Sequence, residues 1–302
     1  MKKLEGMFAA LTTPFRSDDS LDLAALAENV ARYNRTDVAG LVATGSTGEA
    51  SLLSADEAER VWSTVLENIA PNKIAVAGTG TETTAETIKR SLRAADLGYS
   101  VVLVRTPGYY KPFMQARALI EHYHRIADAS RVPILIYSIP IFTGVTVEAD
   151  VTARLAEHPN IIGIKDSSGS VERAAQVARA VPESFSLLVG SATTLVASIG
   201  VGAAGGVLAL ASTLPEVCAE VYRLARAGRV EEARALEVKL EPASRRIASA
   251  LGAPGLKYAM DRLGYRGGLP RPPLLPPTEA EKNEVDAILA AWVDVPAGTR
   301  PA

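Results

Sequence analysis

The sequence predicts an α/β protein, namely a (β/α)8 TIM barrel with a C-terminal helical extension. Eight short β-rich runs alternate with segments of helical periodicity up to about residue 212, and the remaining chain reads as helices without strands between them. Alternating strands and helices predict a parallel sheet. At a length of 302 residues, a closed eight-stranded barrel is favoured over an open doubly wound sheet.

Each predicted strand is a short apolar run bounded by turn residues, the pattern of a buried strand in a parallel sheet. The runs are residues 7–11, 40–44, 74–78, 100–106, 132–137, 161–165, 185–189 and 205–210. The helical segments between them are residues 21–33, 54–70, 83–97, 115–129, 147–158 and 171–180. Ser54, followed by Ala55-Asp56-Glu57, forms a capping box at the start of the second helix.

The chain after the last strand is predicted to form four further helices, over residues 215–227, 230–251, 255–263 and 278–292. A proline-rich stretch at residues 267–277 predicts a stiff connector before the last of them. We therefore expect a catalytic barrel over residues 1–212 and a helical extension over residues 213–302 that packs on it.

Composition and charge exclude several classes of function. The chain is 48% hydrophobic and 22% charged, with a formal net charge of -2 and no basic stripe, so we expect neither nucleic acid nor a membrane surface as a partner. Its single cysteine, Cys218, cannot form an internal disulfide. The apolar run after Met1-Lys2-Lys3 is too short for a secretory signal. The expected location is the cytoplasm.

Metal and nucleotide sites are not expected. His122 and His124 lie two residues apart on a predicted helix and so do not share a face, and His158 is the only other histidine. No P-loop or dinucleotide fingerprint occurs in the sequence. We therefore expect no metal and no organic cofactor.

Lys165 ends the apolar run Ile161–Lys165 and is followed by the polar turn Asp166-Ser167-Ser168-Gly169. The active site of a TIM barrel lies at the carboxyl ends of its strands, where this lysine falls. One interpretation is a strand-terminal lysine whose ammonium group reaches solvent. The other is a buried, neutral amine that forms a Schiff base with a ketone, because burial disfavours the charged form.

Two further rim segments allow both a structural and a chemical interpretation. Residues 45–49, Gly-Ser-Thr-Gly-Glu, are either a plain strand-to-helix turn or a cradle of hydroxyls and backbone N–H groups for a carboxylate. Tyr137 is either an ordinary strand aromatic or a phenol that moves protons beside a Schiff-base amine. Tyr109-Tyr110 at the end of the fourth strand is more typical of a packing pair.

Three motifs in this order resemble the dihydrodipicolinate synthase / N-acetylneuraminate lyase family of pyruvate-dependent class I aldolases. They are Gly45-Ser46-Thr47-Gly48-Glu49, Tyr137 before Ser138-Ile139-Pro140, and Ile162-Gly163-Ile164-Lys165-Asp166. The resemblance covers nearly the whole chain. It implies a (β/α)8 barrel, a small 2-oxo acid as substrate, and a homotetramer built as a dimer of dimers.

The resemblance also implies roles for single residues. Lys165 corresponds to the Schiff-base lysine and Tyr137 to the proton-transfer residue, which we expect to be positioned through Thr47. The remaining assignments are as follows: Ser46 and Thr47 in the hydroxyl relay and carboxylate cradle, Tyr109 lent across the tight dimer interface, Gly190 and Val207 beside the bound ketoacid, Ser167 at the polar end of the second substrate, and Glu49 as a structural residue that accepts hydrogen bonds from turn amides.

The second substrate is where the sequence departs from the family pattern. Dihydrodipicolinate synthases carry an arginine, two residues after the proline of the tyrosine motif, that clamps the carboxylate of aspartate semialdehyde. Here that position is Phe142, which cannot make a bidentate contact. Four segments look more like the 4-hydroxy-2-oxoglutarate aldolase branch, although that branch tends to have Asn at the position of Thr47; the segments are residues 137–140, 157–161, 165–167 and 252–257.

We therefore expect a lyase that cleaves 4-hydroxy-2-oxoglutarate to pyruvate and glyoxylate. The alternatives are a dihydrodipicolinate (4-hydroxy-tetrahydrodipicolinate) synthase, or another family aldolase or dehydratase that acts on sugar ketoacids or on an aromatic adduct of pyruvate. A different class remains open as well: a non-catalytic barrel that binds a ketoacid.

Overall fold

The computed structural model describes residues 3–293, so the first two residues and residues 294–302 of the predicted extension lie outside it. Parallel strands close into a barrel in the order β1 to β8, with β1 paired to both β2 and β8. The strands are β1 (Gly6–Ala10), β2 (Gly40–Ala43), β3 (Ile74–Gly78), β4 (Val101–Arg105), β5 (Ile134–Ser138), β6 (Ile161–Asp166), β7 (Ser186–Val189) and β8 (Gly205–Leu208). The predicted fold class is confirmed, and each strand lies within two residues of its predicted ends.

Helices connect the strands and continue after the last one. They are α1 (Leu23–Tyr33), α2 (Ala55–Asn68), α3 (Thr84–Leu97), α4 (Ala116–Ala129), α5 (Pro140–Thr143), α6 (Ala149–Leu155), α7 (Val171–Ala180), α8 (Leu195–Gly200), α9 (Pro215–Arg226), α10 (Val230–Pro242), α11 (Gly252–Arg262) and α12 (Glu279–Val293). The sequence did not predict α5 and α8, because both are too short to show a helical period.

The predicted helix over residues 230–251 is not continuous. It divides into α10 and a π-helix, Ala243–Ala250, that leads to α11. Pro242 stands at the junction, where it lacks the N–H that a regular helix would use. Such π-helical turns are frequent at functional sites.

The predicted boundary between residues 212 and 213 falls just before α9. This helix packs against α8 and β1, so it occupies the place of the eighth helix around the barrel. The division of the chain into a barrel and an extension stays a prediction. No helix within residues 3–293 is both long enough and apolar enough to span a membrane.

The closed sheet separates two apolar cores. The larger core lies between the strands and the surrounding helices. The smaller one fills the barrel interior with side chains that include Phe8, Val42, Leu103 and Tyr137. Side chains alternate between the two cores along each strand. On β5, Ile136 therefore belongs to the larger core and Tyr137 to the barrel interior.

A buried ion pair ties β6 to α7. The Nε of Arg173 donates to Asp166 Oδ2 at 2.6 Å, and both side chains are at least nine-tenths buried. The same guanidinium donates to Glu148 at 2.9 Å and to the carbonyl of Val147. Arg173 therefore holds the residue after Lys165 and the segment before α6 in one place.

Replacing Arg173 by methionine should destabilise the fold strongly. The change leaves the carboxylate of Asp166 buried without its partner, which typically costs about 3–5 kcal/mol. The measurement is the free energy of unfolding in urea. Arg179→Met, an exposed change on the same helix, is the matched control and should stay within about 0.5 kcal/mol of wild type. Equal effects of the two variants would contradict a structural role for the ion pair.

Candidate functional site

A cavity of about 440 Å³ opens at the carboxyl ends of the strands. It is lined by short turns of the barrel rim and by the C-terminal helices. Its polar lining side chains come from Ser46, Thr47, Tyr137, Lys165, Ser167, Ser168, Ser191, Ser244 and Ser249. Among the described residues that line it, Lys165 carries the only charged side chain.

Lys165 and Tyr137 lie side by side at the base of this cavity. They are register partners on the neighbouring strands β6 and β5, and each is 4% exposed. The Nζ of Lys165 lies 4.0 Å from the centroid of the Tyr137 ring. The lysine is therefore buried rather than extended to solvent, with its amine against an aromatic face.

The phenol of Tyr137 meets a hydroxyl of the turn after β2. Its oxygen lies 3.4 Å from Ser46 Oγ, near the outer limit of a hydrogen bond. We expected Thr47 to position this phenol; Thr47 lines the cavity, but the contact with Tyr137 comes from Ser46. Two successive side chains on a tight turn diverge, so only one of them reaches the phenol.

The turn that carries Ser46 is held in an unusual backbone conformation. Thr44 and Glu49, the residues that bracket the turn, have φ of 52° and 56°, a region that β-branched residues rarely adopt. The Thr44 hydroxyl donates to the Gly78 carbonyl at 2.9 Å and accepts the indole N–H of Trp62 at 2.6 Å. Contacts with β3 and α2 thus fix the entry to the turn.

Glu49 does not accept hydrogen bonds from turn amides, so that expectation is wrong. Its carboxylate forms an ion pair with Lys257 of α11 and accepts the backbone N–H of Arg271 at 2.9 Å. Both side chains of the ion pair are 1% exposed. Both partners come from the C-terminal part of the chain, far away in sequence, and a local motif carries no information about them.

Gly190 and Val207, the expected neighbours of a bound ketoacid, both line the cavity, and their contact with a ketoacid stays a prediction. A Cβ at Gly190 would lie 2.0 Å from Ser167 Oγ, so this position has no room for a side chain. Ser167 therefore packs directly over the end of β7. These two residues form one wall of the cavity.

Phe142 lies on α5 at the cavity mouth. Its side chain is 70% exposed, and that of the neighbouring Ile141 is 78% exposed. Both line the cavity. The position at which the synthases carry an arginine is thus an apolar part of the mouth here.

Tyr109 is not among the residues that line the cavity of its own chain, and its side chain is 79% exposed. Its loop is nevertheless ordered by Glu82, which accepts the backbone N–H groups of Gly108 and Tyr109 at 3.0 Å each. Partial burial raises the pKa of Glu82, but these N–H groups and the guanidinium of Arg105 more than offset that effect, so its pKa lies below the usual value. The loop is held in place and presents Tyr109 outward.

Sequence reasoning missed the part of the cavity that comes from the C-terminal half. Ser244 and Ser249 belong to the π-helix, and Ala253 belongs to α11. In the sequence, residues 252–257 stand out only through their resemblance to the 4-hydroxy-2-oxoglutarate aldolase branch. A π-helix is not visible in hydrophobic periodicity, so no local signal placed these serines at the cavity.

Among the described residues, no group of three or more His, Cys, Asp or Glu side chains could hold a metal ion. His122 lies on α4, where burial lowers the pKa of its imidazole to about 4. Its Nδ1 lies 2.9 Å from the hydroxyl of Thr84. It is a buried structural side chain on the outer layer, away from the cavity.

The chain is similar to known proteins over almost its whole length. Residues 3–292 match the dihydrodipicolinate synthetase family. A 4-hydroxy-tetrahydrodipicolinate synthase of Methanothrix thermoacetophila is 33% identical over 291 residues, which are 96% of this chain and 97% of that protein. A 4-hydroxy-tetrahydrodipicolinate synthase of an Exiguobacterium species is 34% identical over 271 residues, which are 90% and 92% of the two chains.

The barrel also matches solved structures closely. A dihydrodipicolinate synthase of Acinetobacter baumannii, solved in complex with pyruvate, superposes with a TM-score of 0.91 at 31% identity, over 95% of this chain and 98% of that one. These comparisons confirm the expected family and an enzyme of the lyase class with a Schiff-base lysine; they do not confirm the expected 4-hydroxy-2-oxoglutarate aldolase branch. The chain belongs to the dihydrodipicolinate synthetase family.

Proposed function

We propose that Lys165 forms an imine with pyruvate, and that the chain joins this bound pyruvate to an aldehyde in the manner of a 4-hydroxy-tetrahydrodipicolinate synthase. The burial of Lys165 beside Tyr137 in a cavity open to a small molecule is the observation that carries the first half of this proposal. The names of the relatives support the second half.

The chemistry begins at the amine of Lys165. The neutral amine adds to the C2 carbonyl of pyruvate, water leaves, and the protonated imine draws electrons from C3. Loss of a C3 proton then gives an enamine. Its C3 attacks the aldehyde carbon, whose oxygen takes up a proton, and water finally hydrolyses the imine and frees the lysine. Cleavage is the same sequence reversed.

Tyr137 and Ser46 are placed to move the protons in this sequence. The amine of Lys165 lies over the Tyr137 ring, 4.0 Å from its centroid, and the phenol oxygen lies 3.4 Å from the Ser46 hydroxyl. A proton-transfer group must come within hydrogen-bond reach of the reacting atoms, and the phenol is the titratable side chain next to the amine. The hydroxyls of Ser46 and Thr47, with the N–H groups of their turn, hold the substrate carboxylate.

A second candidate function is the cleavage of 4-hydroxy-2-oxoglutarate to pyruvate and glyoxylate. The observation that favours it is Phe142, which leaves the cavity mouth without the arginine that would pair with the carboxylate of aspartate semialdehyde. An unpaired charge in a partly dry site typically costs a few kcal/mol, or roughly 10²–10³ in kcat/KM. The two candidates share the imine chemistry and differ only at the mouth.

We propose further that the functional unit is a homotetramer in the cytoplasm and that Tyr109 reaches the cavity of a neighbouring subunit. Tyr109, Tyr110 and Phe113 are 79%, 65% and 70% exposed, respectively, on a loop that Glu82 holds in place. Exposed aromatic side chains grouped together are typical of a protein interface.

Imine formation at Lys165 can be tested by reductive trapping. Incubation with pyruvate and borohydride should leave one adduct per chain, on the peptide that contains Lys165, and none in Lys165→Ala. Lys257 is the internal control, because burial lowers its pKa to about 8 and makes it the other candidate nucleophilic amine. An adduct on Lys257, or no adduct in wild type, would show the imine proposal to be wrong.

The two candidate reactions can be compared in one experiment. If the synthase reaction is the function, condensation with aspartate semialdehyde should have the higher kcat/KM, and Phe142→Arg should raise it by roughly 10-fold or more by supplying a bidentate partner. Release of pyruvate from 4-hydroxy-2-oxoglutarate is measured beside it. Ile141→Arg, which places the same charge on the adjacent residue, is the matched control. Faster cleavage than condensation in wild type would favour the second candidate instead.

The role of Tyr109 across an interface can be tested by mixing subunits. Tyr109→Phe and Lys165→Ala are each expected to be nearly inactive as homo-oligomers. Co-assembled subunits should regain part of the wild-type turnover, because some cavities then combine an intact Lys165 with an intact Tyr109. If Tyr109 serves its own cavity, or has no role, mixing will restore nothing beyond the sum of the parents.

A further inference from the structure

The buried ion pair between Glu49 and Lys257 takes no part in the chemistry proposed above. Glu49 ends the turn that carries Ser46, and Lys257 lies in the middle of α11, more than two hundred residues along the chain. Each side chain is 1% exposed. Burying two charges is costly, and replacing such a pair by apolar residues is often neutral for stability. Its presence below this particular turn therefore calls for a functional explanation.

The backbone of Glu49 is connected directly to that of Ser46. The N–H of Glu49 donates to the carbonyl of Ser46 at 3.1 Å, and the N–H groups of Gly48 and Ala50 donate to the carbonyl of Gly45 at 3.0 and 3.3 Å. Glu49 also stands in the left-handed region, with a φ of 56°. A shift of its side chain would consequently be passed on to Ser46 through one hydrogen bond.

The other contacts of the ion pair fix it in space. Lys257 donates to the carbonyl of Leu269 at 2.7 Å, and its Nζ lies 4.5 Å from the ring centroid of Phe15. Glu49 accepts the backbone N–H of Arg271 at 2.9 Å. The guanidinium carbon of Arg271 lies 4.2 Å from the ring centroid of Phe15. The segment before α12 and the loop after β1 thus enclose the pair.

We propose that Glu49 and Lys257 act as a positioning pair that sets the distance between the Ser46 hydroxyl and the Tyr137 phenol. This contact is already long, at 3.4 Å, so a small displacement of the turn would break it. The proposal rests on the proposed function, because it assigns the ion pair to the proton transfer at C3 of bound pyruvate. In this proposal α11 helps to align Ser46 with Tyr137 through Lys257, although Lys257 does not touch the substrate.

The test uses two reactions of pyruvate alone. Imine formation is followed by borohydride trapping at Lys165, and proton transfer is followed by the exchange of the C3 protons of pyruvate with deuterium from D₂O, measured by NMR. The variants are Lys257→Met, Glu49→Gln and the double variant. Lys73→Met is the matched control, since Lys73 is another part-buried lysine whose Nζ donates to two backbone carbonyls, those of Thr36 and Val38, but it precedes β3 at the opposite end of the barrel.

The positioning pair predicts a separation of the two reactions. Each single variant should trap pyruvate at a half-saturating concentration within about 3-fold of wild type, while C3 exchange falls by about 10- to 100-fold, the cost of misplacing a reacting group by about 1 Å. The double variant should lose about as much as one single variant, because the two residues act as a unit. Lys73→Met should exchange at the wild-type rate, and Tyr137→Phe marks the lower limit of exchange.

Three results would overturn the inference. Wild-type exchange in folded single variants would show that the turn does not depend on the ion pair. Equal losses of trapping and exchange, or variants that do not fold, would show that the pair acts on stability alone. If wild type itself neither traps pyruvate nor exchanges its protons, the proposed function is wrong and the inference falls with it.

Discussion

The burial of Lys165 at the carboxyl end of β6 is the constraint on which the site depends. A lysine at this position is kept from solvent because the closed barrel surrounds it, with Tyr137 of the neighbouring strand against its amine. In an open sheet the same side chain would reach water. The buried ion pair of Asp166 with Arg173 anchors the next residue of the strand to α7.

The C-terminal helices contribute to the site as much as the later strands do. The π-helix after Pro242 brings Ser244 and Ser249 to the cavity, and α11 brings Lys257 below the turn of Ser46. A substrate bound in the cavity would therefore lie between the barrel rim and these helices. Such enclosure would strengthen the polar contacts around the proposed imine, because it lowers the local dielectric constant.

The proposed function places the chemistry and the choice of substrate at different depths of the cavity. The amine, the phenol and the hydroxyl turn are at the base of the cavity, on strand ends that neighbouring strands hold rigidly. Phe142 and Ile141 are at the mouth, on the short helix α5, where both are largely exposed. We expect substitutions at the mouth to change the second substrate while leaving the proposed imine formation intact, since no backbone hydrogen bond of the barrel depends on these side chains.

The sequence by itself determined the fold class, all eight strands and the segments that carry Lys165, Tyr137 and Ser46, because strand periodicity and turn residues are local signals. Only the tertiary structure decided the partners. Ser46 rather than Thr47 contacts the phenol, and Glu49 pairs with Lys257 and the N–H of Arg271 rather than with its own turn. These contacts join residues up to 222 positions apart. They depend on how the chain packs in three dimensions, which no local pattern records.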